Sequence, residues 1–153
     1  EVWHRTGDVG YFDDQGRIWF CGRKAHMCNS GDETYYSVKV EYCFSGLAGI
    51  NRVALVNISL HGQKVLALCI EPTQRFMSPT ARRTIVTDIV QVARRYRIPL
   101  RVIAFHARQF PVDKRHHAKI ERHLLAKWVQ DSLTRLRCNW AIYHVSMTNI
   151  AAR

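Results

Sequence analysis

Apolar runs at residues 9–12 and 17–21 flank Asp13-Asp14-Gln15-Gly16. Asp with Gly in such a gap is turn chemistry, so the chain is predicted to open on a β-hairpin. A polar stretch at 26–34, centred on Asn29-Ser30-Gly31-Asp32, reads as a loop. Ser37 is then placed to cap a short helix running to about Phe44, with Gly46 and Gly49 ending it. Residues 52–58 and 64–70 are rich in Val, Leu and Ile and are separated by His61-Gly62, the pattern of a second hairpin in a core sheet. Ser78-Pro79 opens a long helix that Pro99 closes. Along it Ile85, Ile89, Val92 and Tyr96 recur at helical spacing, opposite Arg82, Arg83, Arg94, Arg95 and Arg97. Residues 100–105 read as another strand and 120–136 as a last amphipathic helix, while the pattern assigns no element beyond 137.

Composition narrows the class. At 153 residues and 47% hydrophobic content the chain can bury one core, which fits one domain with appendages. Its opening, Glu1-Val2-Trp3-His4-Arg5, reads as the interior of a longer chain without a signal peptide. No run reaches the ~18 apolar residues of a transmembrane helix. Cys21, Cys28, Cys43, Cys69 and Cys138 are scattered and never spaced C-x-x-C, the usage of reduced thiols in a cytoplasmic protein, and no metal site is expected.

Net charge is +11, and the back half carries it: residues 1–72 hold seven Lys and Arg against eight Asp and Glu, residues 73–153 sixteen against four. Such asymmetry can serve nucleic acid, through counterion release, or an anionic small substrate such as ATP or coenzyme A. The arginines of the long helix read best as its solvated face, and no RNA-binding, basic-zipper or zinc-finger signature supports nucleic acid as a partner. A non-enzymatic basic binding module stays as the alternative from another class.

Few residues carry candidate chemistry. Asp8, on a tight turn after Thr6-Gly7, could accept hydrogen bonds from two adjacent hydroxyls, the usual grip on a ribose. Taken alone it is a turn former, and Arg23 a surface charge. Lys119 alone is one more lysine at the start of a basic helix. His106, His116, His117 and His123 crowd that region, where phosphate contacts or a proton relay are conceivable, yet exposed loop and helix histidines are the preferred reading. Trp19, Trp128 and Trp140 read as core or edge aromatics, and Glu41 as a structural ion-pair partner.

Taken together, two distant segments change that picture. Trp3-His4-Arg5-Thr6-Gly7-Asp8-Val9-Gly10, with Gly22-Arg23-Lys24, and Pro111-Val112-Asp113 followed by His116-His117-Ala118-Lys119-Ile120 resemble the end of an adenylate-forming enzyme. That superfamily includes acyl-CoA synthetases, nonribosomal adenylation domains and luciferases. Its members carry a Thr-Gly-Asp near the end of a large N-terminal domain, a Gly-Arg before an interdomain hinge, and one lysine near the C-terminus. The resemblance implies that Asp8 binds the ribose hydroxyls of ATP, that Arg23 adds a second ribose contact, and that Lys119 stabilises charge at the α-phosphate. Pro111 and Arg122 also match, whereas Ala118 replaces the usual glycine and Ala25 stands where the hinge is ordinarily Asp or Lys. Between Gly31 and Glu41 only Val40-Glu41 keeps to the usual pattern.

Trp19-Phe20-Cys21-Gly22-Arg23-Lys24-Ala25-His26 and Phe110-Pro111-Val112-Asp113 look like the OleC branch, whose enzymes adenylate a β-hydroxy fatty acid and close it to a β-lactone in olefin biosynthesis. The expectation is an α+β fold, a small mainly antiparallel sheet packed by about three helices, with the first hairpin apart. Residues 1–24 would be the last hairpin of a large ATP-binding domain, 25–137 the mobile C-terminal domain, and 138–153 a tail. The family's phosphate loop and acyl pocket lie upstream of Thr6-Gly7-Asp8, so the N-terminal domain is the implied partner and holds most contacts to ATP and Mg2+. Other olefin-pathway enzymes are further candidate partners. The fragment alone is expected to be inactive. A fatty acyl-CoA ligase, with coenzyme A as second substrate, is the rival within the enzyme class.

Overall fold

The turn at Asp13 is built from side chain as much as backbone. Its carboxylate accepts hydrogen bonds from the Gln15 and Arg17 backbone N–H groups at 3.0 and 2.9 Å, from Arg17 Nε at 2.6 Å and from Trp19 Nε1 at 2.8 Å. It joins β1 (Asp8–Phe12) to β2 (Ile18–Arg23), an antiparallel pair forming a sheet of its own, apart from the rest as expected. The structure is a computed structural model and describes residues 2–113, 119–134 and 141–146.

A single 3-10 turn, Lys24–His26, leads out of β2. Beyond it the polar stretch departs from its expected form. It is not a loop but a second small hairpin, β3 (Met27–Ser30) and β4 (Glu33–Tyr36), turning at Gly31, whose φ is +60°. Polar residues suit it because it is held by polar bonds: the Asn57 side chain accepts from Asn29 N–H and donates to Asn29 C=O, both at 2.8 Å. α1 (Ser37–Phe44) has the expected span, but Tyr36 occupies the cap position and makes no side-chain cap bond. Ser37 is the first helical residue, and its buried hydroxyl finds no partner among the described residues.

β5 (Ile50–Leu60) and β6 (Gln63–Pro72) meet at His61-Gly62, and both turn residues have positive φ, +51° and +79°. That is the two-residue hairpin turn whose twist matches the strands. Ser78 Oγ accepts from Ala81 N–H at 3.1 Å and Pro79 opens α2 (Pro79–Arg95). Arg97, at φ +53°, ends it, with Ile98 N–H bonded to Ala93 C=O at 2.8 Å and Arg97 N–H to Arg94 C=O at 3.2 Å. This is a left-handed C-terminal cap, reached before Pro99 bars further helix. β7 (Leu100–Phe105) runs parallel to β6, α3 (Arg122–Thr134) comes next, and β8 (Ile142–His144) pairs antiparallel with β7.

The sheet β5-β6-β7-β8 is therefore mainly antiparallel with one parallel pair, and helices cover both faces. Leu55, Leu66, Leu68, Ile70, Ile103 and Phe105 pack under Val40 and Phe44 of α1 and Ile85, Ile89 and Ala93 of α2. Val56, Val65, Ala67, Cys69, Val102 and Ala104 pack under Leu125 and Val129 of α3. Burial on both faces is why these strands read as near-continuous apolar runs, each fully buried Leu or Ile contributing about 1.5–3 kcal/mol. The buried stripe of α2 ends on Ala93, not on Tyr96, which is 54% exposed because the left-handed cap turns the chain away there. Among the described residues no helix is long and apolar enough to cross a membrane.

Candidate functional site

Strand register places Asp8 directly opposite Arg23. The guanidinium Nε lies 3.0 Å from Asp8 Oδ1, and Nη1 donates to Thr6 C=O at 2.7 Å. Lys24 N–H bonds Gly7 C=O at 2.9 Å, and Asp8 N–H reaches Thr6 Oγ1 at 3.3 Å. Gly7, at φ +76°, makes the bend that allows this. The two ribose candidates of the sequence are thus a cross-strand ion pair on a strand end tied down by backbone bonds.

Lys119 comes from the other end of the chain. Asp113 N–H bonds Lys119 C=O at 2.9 Å, Glu121 N–H bonds Pro111 C=O at 2.8 Å, and Val112 bridges Ile120. The lysine therefore stands on a short antiparallel bridge just before α3, with its side chain exposed. His116, His117 and Ala118 fall outside the described residues, as do Trp140 and most of the 138–153 tail.

α3 begins on Arg122, which is anchored. Arg122 Nη2 donates to both Glu41 oxygens, at 2.8 and 2.7 Å, and Leu55 N–H donates to Glu41 Oε1 at 2.8 Å. Both side chains are only 15% exposed. Burial raises the pKa of the Glu41 carboxyl, against the pull of Arg122 and the Leu55 N–H. The expected structural pairing of Glu41 is present, and it ties α1 and β5 to the segment that bears Lys119.

The two motifs converge. An open cleft of about 460 Å³ is lined by Thr6, Gly7, Arg23, Lys24, Ala25, His26 and Lys119. Asp8 reaches it only through Arg23. Ala25 is exposed in the 3-10 turn between the first hairpin and β3. His26 is the residue that sequence reasoning missed. It lines this cleft and also a smaller cavity of about 180 Å³ shared with Cys28, Asn57, Arg122 and His123. Burial, then the positive charges of Arg122, Lys119 and Arg23, lower its pKa. Burial pushes the neighbouring Cys28 thiol up to about 11.

The other candidates lie elsewhere. His106 packs edge-on against Phe110 and Trp128 and donates from Nδ1 to Arg108 C=O, 2.8 Å away. It borders a larger cavity, about 530 Å³, beside Glu71 at the far end of the sheet. Glu71 is buried, which opposes ionisation, but Arg52, the Phe110 N–H and Asn51 bond it and hold its carboxyl below the ordinary range. His123 is exposed and lies 3.2 Å from Glu121. Trp19 is half-exposed on the first hairpin, and Trp128 flanks the α3 core. Among the described residues no three His, Cys, Asp or Glu cluster as metal ligands.

No family model matches the sequence. An olefin β-lactone synthetase from Stenotrophomonas maltophilia (strain K279a) is 41% identical over 133 residues, 86% of this chain. The chain belongs to the adenylate-forming enzymes and matches their C-terminal part. It spans only about a quarter of the relatives' length, 24% of that synthetase. A second relative, the long-chain-fatty-acid–CoA ligase FadD13 of Mycobacterium tuberculosis (strain CDC 1551 / Oshkosh), is 29% identical over 101 residues, 66% of this chain and 20% of that protein. In structure, the anthranilate CoA ligase AuaEII in complex with anthranoyl-AMP superposes with a TM-score of 0.69, covering 84% of this chain and 24% of its own, at 19% identity. At that identity the likeness speaks for the fold alone.

Proposed function

We propose that this chain is the mobile C-terminal domain of an ATP-dependent acyl-activating ligase, preceded by the last hairpin of its large domain, and that the intact enzyme adenylates a β-hydroxy fatty acid and closes the acyl-adenylate to a β-lactone. The observation that carries this reading is the single cleft in which the Thr6-Gly7 turn and Arg23 face Lys119. Similarity to the olefin β-lactone synthetase supports lactone closure as the second step, and the resemblance to the OleC branch points to a β-hydroxy fatty acid as substrate.

In this reading the substrate carboxylate attacks the α-phosphorus of ATP and pyrophosphate leaves. Negative charge gathers on the phosphoryl and leaving oxygens, and Lys119 stabilises it as a point charge. The exposed side chain beside a backbone bridge suits a group delivered to a substrate held mainly by another domain. Asp8 grips the ribose hydroxyls, with Arg23 orienting its carboxylate and adding a contact. Magnesium would be held mainly by the N-terminal domain, as the resemblance to adenylate-forming enzymes implies. Ala25 is the pivot about which residues 25–137 rotate to bring Lys119 to the ATP for the first half-reaction.

Carboxylate-dependent ATP–pyrophosphate exchange by the intact enzyme tests this. With a β-hydroxy fatty acid the wild type should exchange, and Lys119→Ala should lose about 10²–10³-fold, the scale of one charge-stabilising donor. An exchange rate unchanged by Lys119→Ala removes the lysine from the chemistry. The similarity to a long-chain-fatty-acid–CoA ligase favours a second reading, transfer to coenzyme A. Coenzyme A consumption by the intact enzyme would select it over lactone closure.

A further inference from the structure

Adenylation of a carboxylate needs no proton transfer, but the step that consumes an acyl-adenylate does. Resting on the acyl-adenylating reading above, we propose that His26 is the general base of the second half-reaction, taking the proton from the hydroxyl that captures the acyl-adenylate. The β-hydroxyl oxygen attacks the acyl carbonyl carbon as its proton passes to the imidazole. The carbonyl carbon then loses its bond to the phosphate oxygen, AMP leaves with that bond's electron pair, the lactone ring is closed, and His26 returns the proton to water.

Three observations assign the role. The first is place: His26 adjoins Ala25 and lines the same cleft as Arg23 and Lys119, where an adenylate's phosphate would lie. The second is chemistry. Among the described lining side chains, guanidinium and ammonium groups have no lone pair to offer and Thr6 is a hydroxyl, while Asp8 is not one of them and is paired with Arg23. His26 is the one nitrogen base. It makes no side-chain hydrogen bond or ion pair among the described residues, unlike His106 and His123, each of which has a partner.

The third is electrostatic setting. The groups facing His26 are Arg23 and Lys24 from β2 and the turn after it, Lys119 from the bridge, Arg122 and His123 from α3, and Cys28 from β3. Glu41 stands behind, spent on Arg122. Burial and the cations Arg122, Lys119 and Arg23 depress the imidazole's pKa, which favours its neutral, proton-accepting form. An acyl-adenylate brings a phosphate anion among those cations and offsets the repulsion. The base strengthens when there is an adenylate to consume.

The test uses the intact enzyme, with ATP–pyrophosphate exchange reading the first step. Single-turnover lactone formation from preformed β-hydroxyacyl-adenylate, across pH, reads the second. His26→Ala should slow lactone formation about 10²-fold, the low end for general base catalysis, and move exchange by no more than a few fold. It should abolish the rise of the wild-type rate with pH, and added imidazole should restore turnover. Lys119→Ala should show the opposite split. Parallel loss of both steps in His26→Ala, unaltered lactone formation, or a larger loss in His116→Ala or His117→Ala overturns the assignment. Absence of exchange in the wild type sinks the parent reading and this proposal with it. Exchange present while His26→Ala closes the lactone normally sinks the base alone.

Discussion

Arg122 shows how much of the site rests on one buried pair. Its Nη2 serves both oxygens of Glu41, and its Nε has no partner among the described residues, so Glu41 carries most of its compensation. Removing one member of such a pair strands the other charge. Glu41→Ala should therefore lower the unfolding free energy by about 3 kcal/mol, read from urea unfolding. A loss close to zero would mean that water replaces the carboxylate. At this scale the sequence was legible where residues come in strings. Thr6-Gly7-Asp8, Gly22-Arg23 and Lys119 stood out by their resemblance to the motifs of adenylate-forming enzymes, and the structure brings Arg23 and Lys119 to one cleft. His26 was not legible. A lone histidine in a polar stretch has no periodicity, and its surroundings exist only once Arg122 and His123 of α3 come beside Cys28 and Asn57.

Among the elements, the first hairpin depends most on a single titrating group. The Trp19 indole N–H, then the Arg17 backbone N–H, hold the Asp13 carboxyl down at about 2, against an ordinary 3.8. Because its pKa is lower folded than unfolded, its support for the turn is present above about pH 4 and is lost as pH falls through about 2. The Trp19 indole proton resonance should accordingly titrate near pH 2, and that titration should vanish in Asp13→Asn. A midpoint near 4 would show that the turn does not use this carboxylate. Most elements could be read from pattern, since β5, β6, β7 and α2 each bury a continuous run or a helical stripe. The β3–β4 hairpin escaped because its residues are those of turns and it is held by Asn57 bonds rather than by apolar alternation. Ser37 misled for a related reason: a serine beside a helix start is a cap only if its oxygen turns back to the helix, and here it turns inward. β8 is three residues long, too short to show a period.

For the molecule as a whole, the two core clusters draw their buried residues from Cys28 onward, and the first hairpin touches the rest mainly through Gly22 against Val38 and Lys39 over the Tyr11 ring. Phe12 and Ile18 are each 71% exposed on it. The division at 24/25 that we propose makes a prediction: deleting residues 1–24 should shift the Tm of the remainder by less than about 5 °C, the effect of roughly one kcal/mol. Loss of cooperative unfolding would instead make the hairpin part of the same unit. The arginines 83, 94, 95 and 97 are exposed along one side of α2 and its cap, the solvated face that their spacing implied.

The spatial order of the main sheet, β5-β6-β7-β8, is also its order along the chain. No strand has to be inserted between two that are already paired. During synthesis each strand can therefore dock on the edge left by the one before, starting from a hairpin closed by a two-residue turn, a loop of low closure cost. The single parallel step, β6 to β7, waits for α2 to emerge and cross over. A nascent chain on the ribosome would hold a growing sheet whose free edge passes from β6 to β7 and then to β8 as each strand arrives.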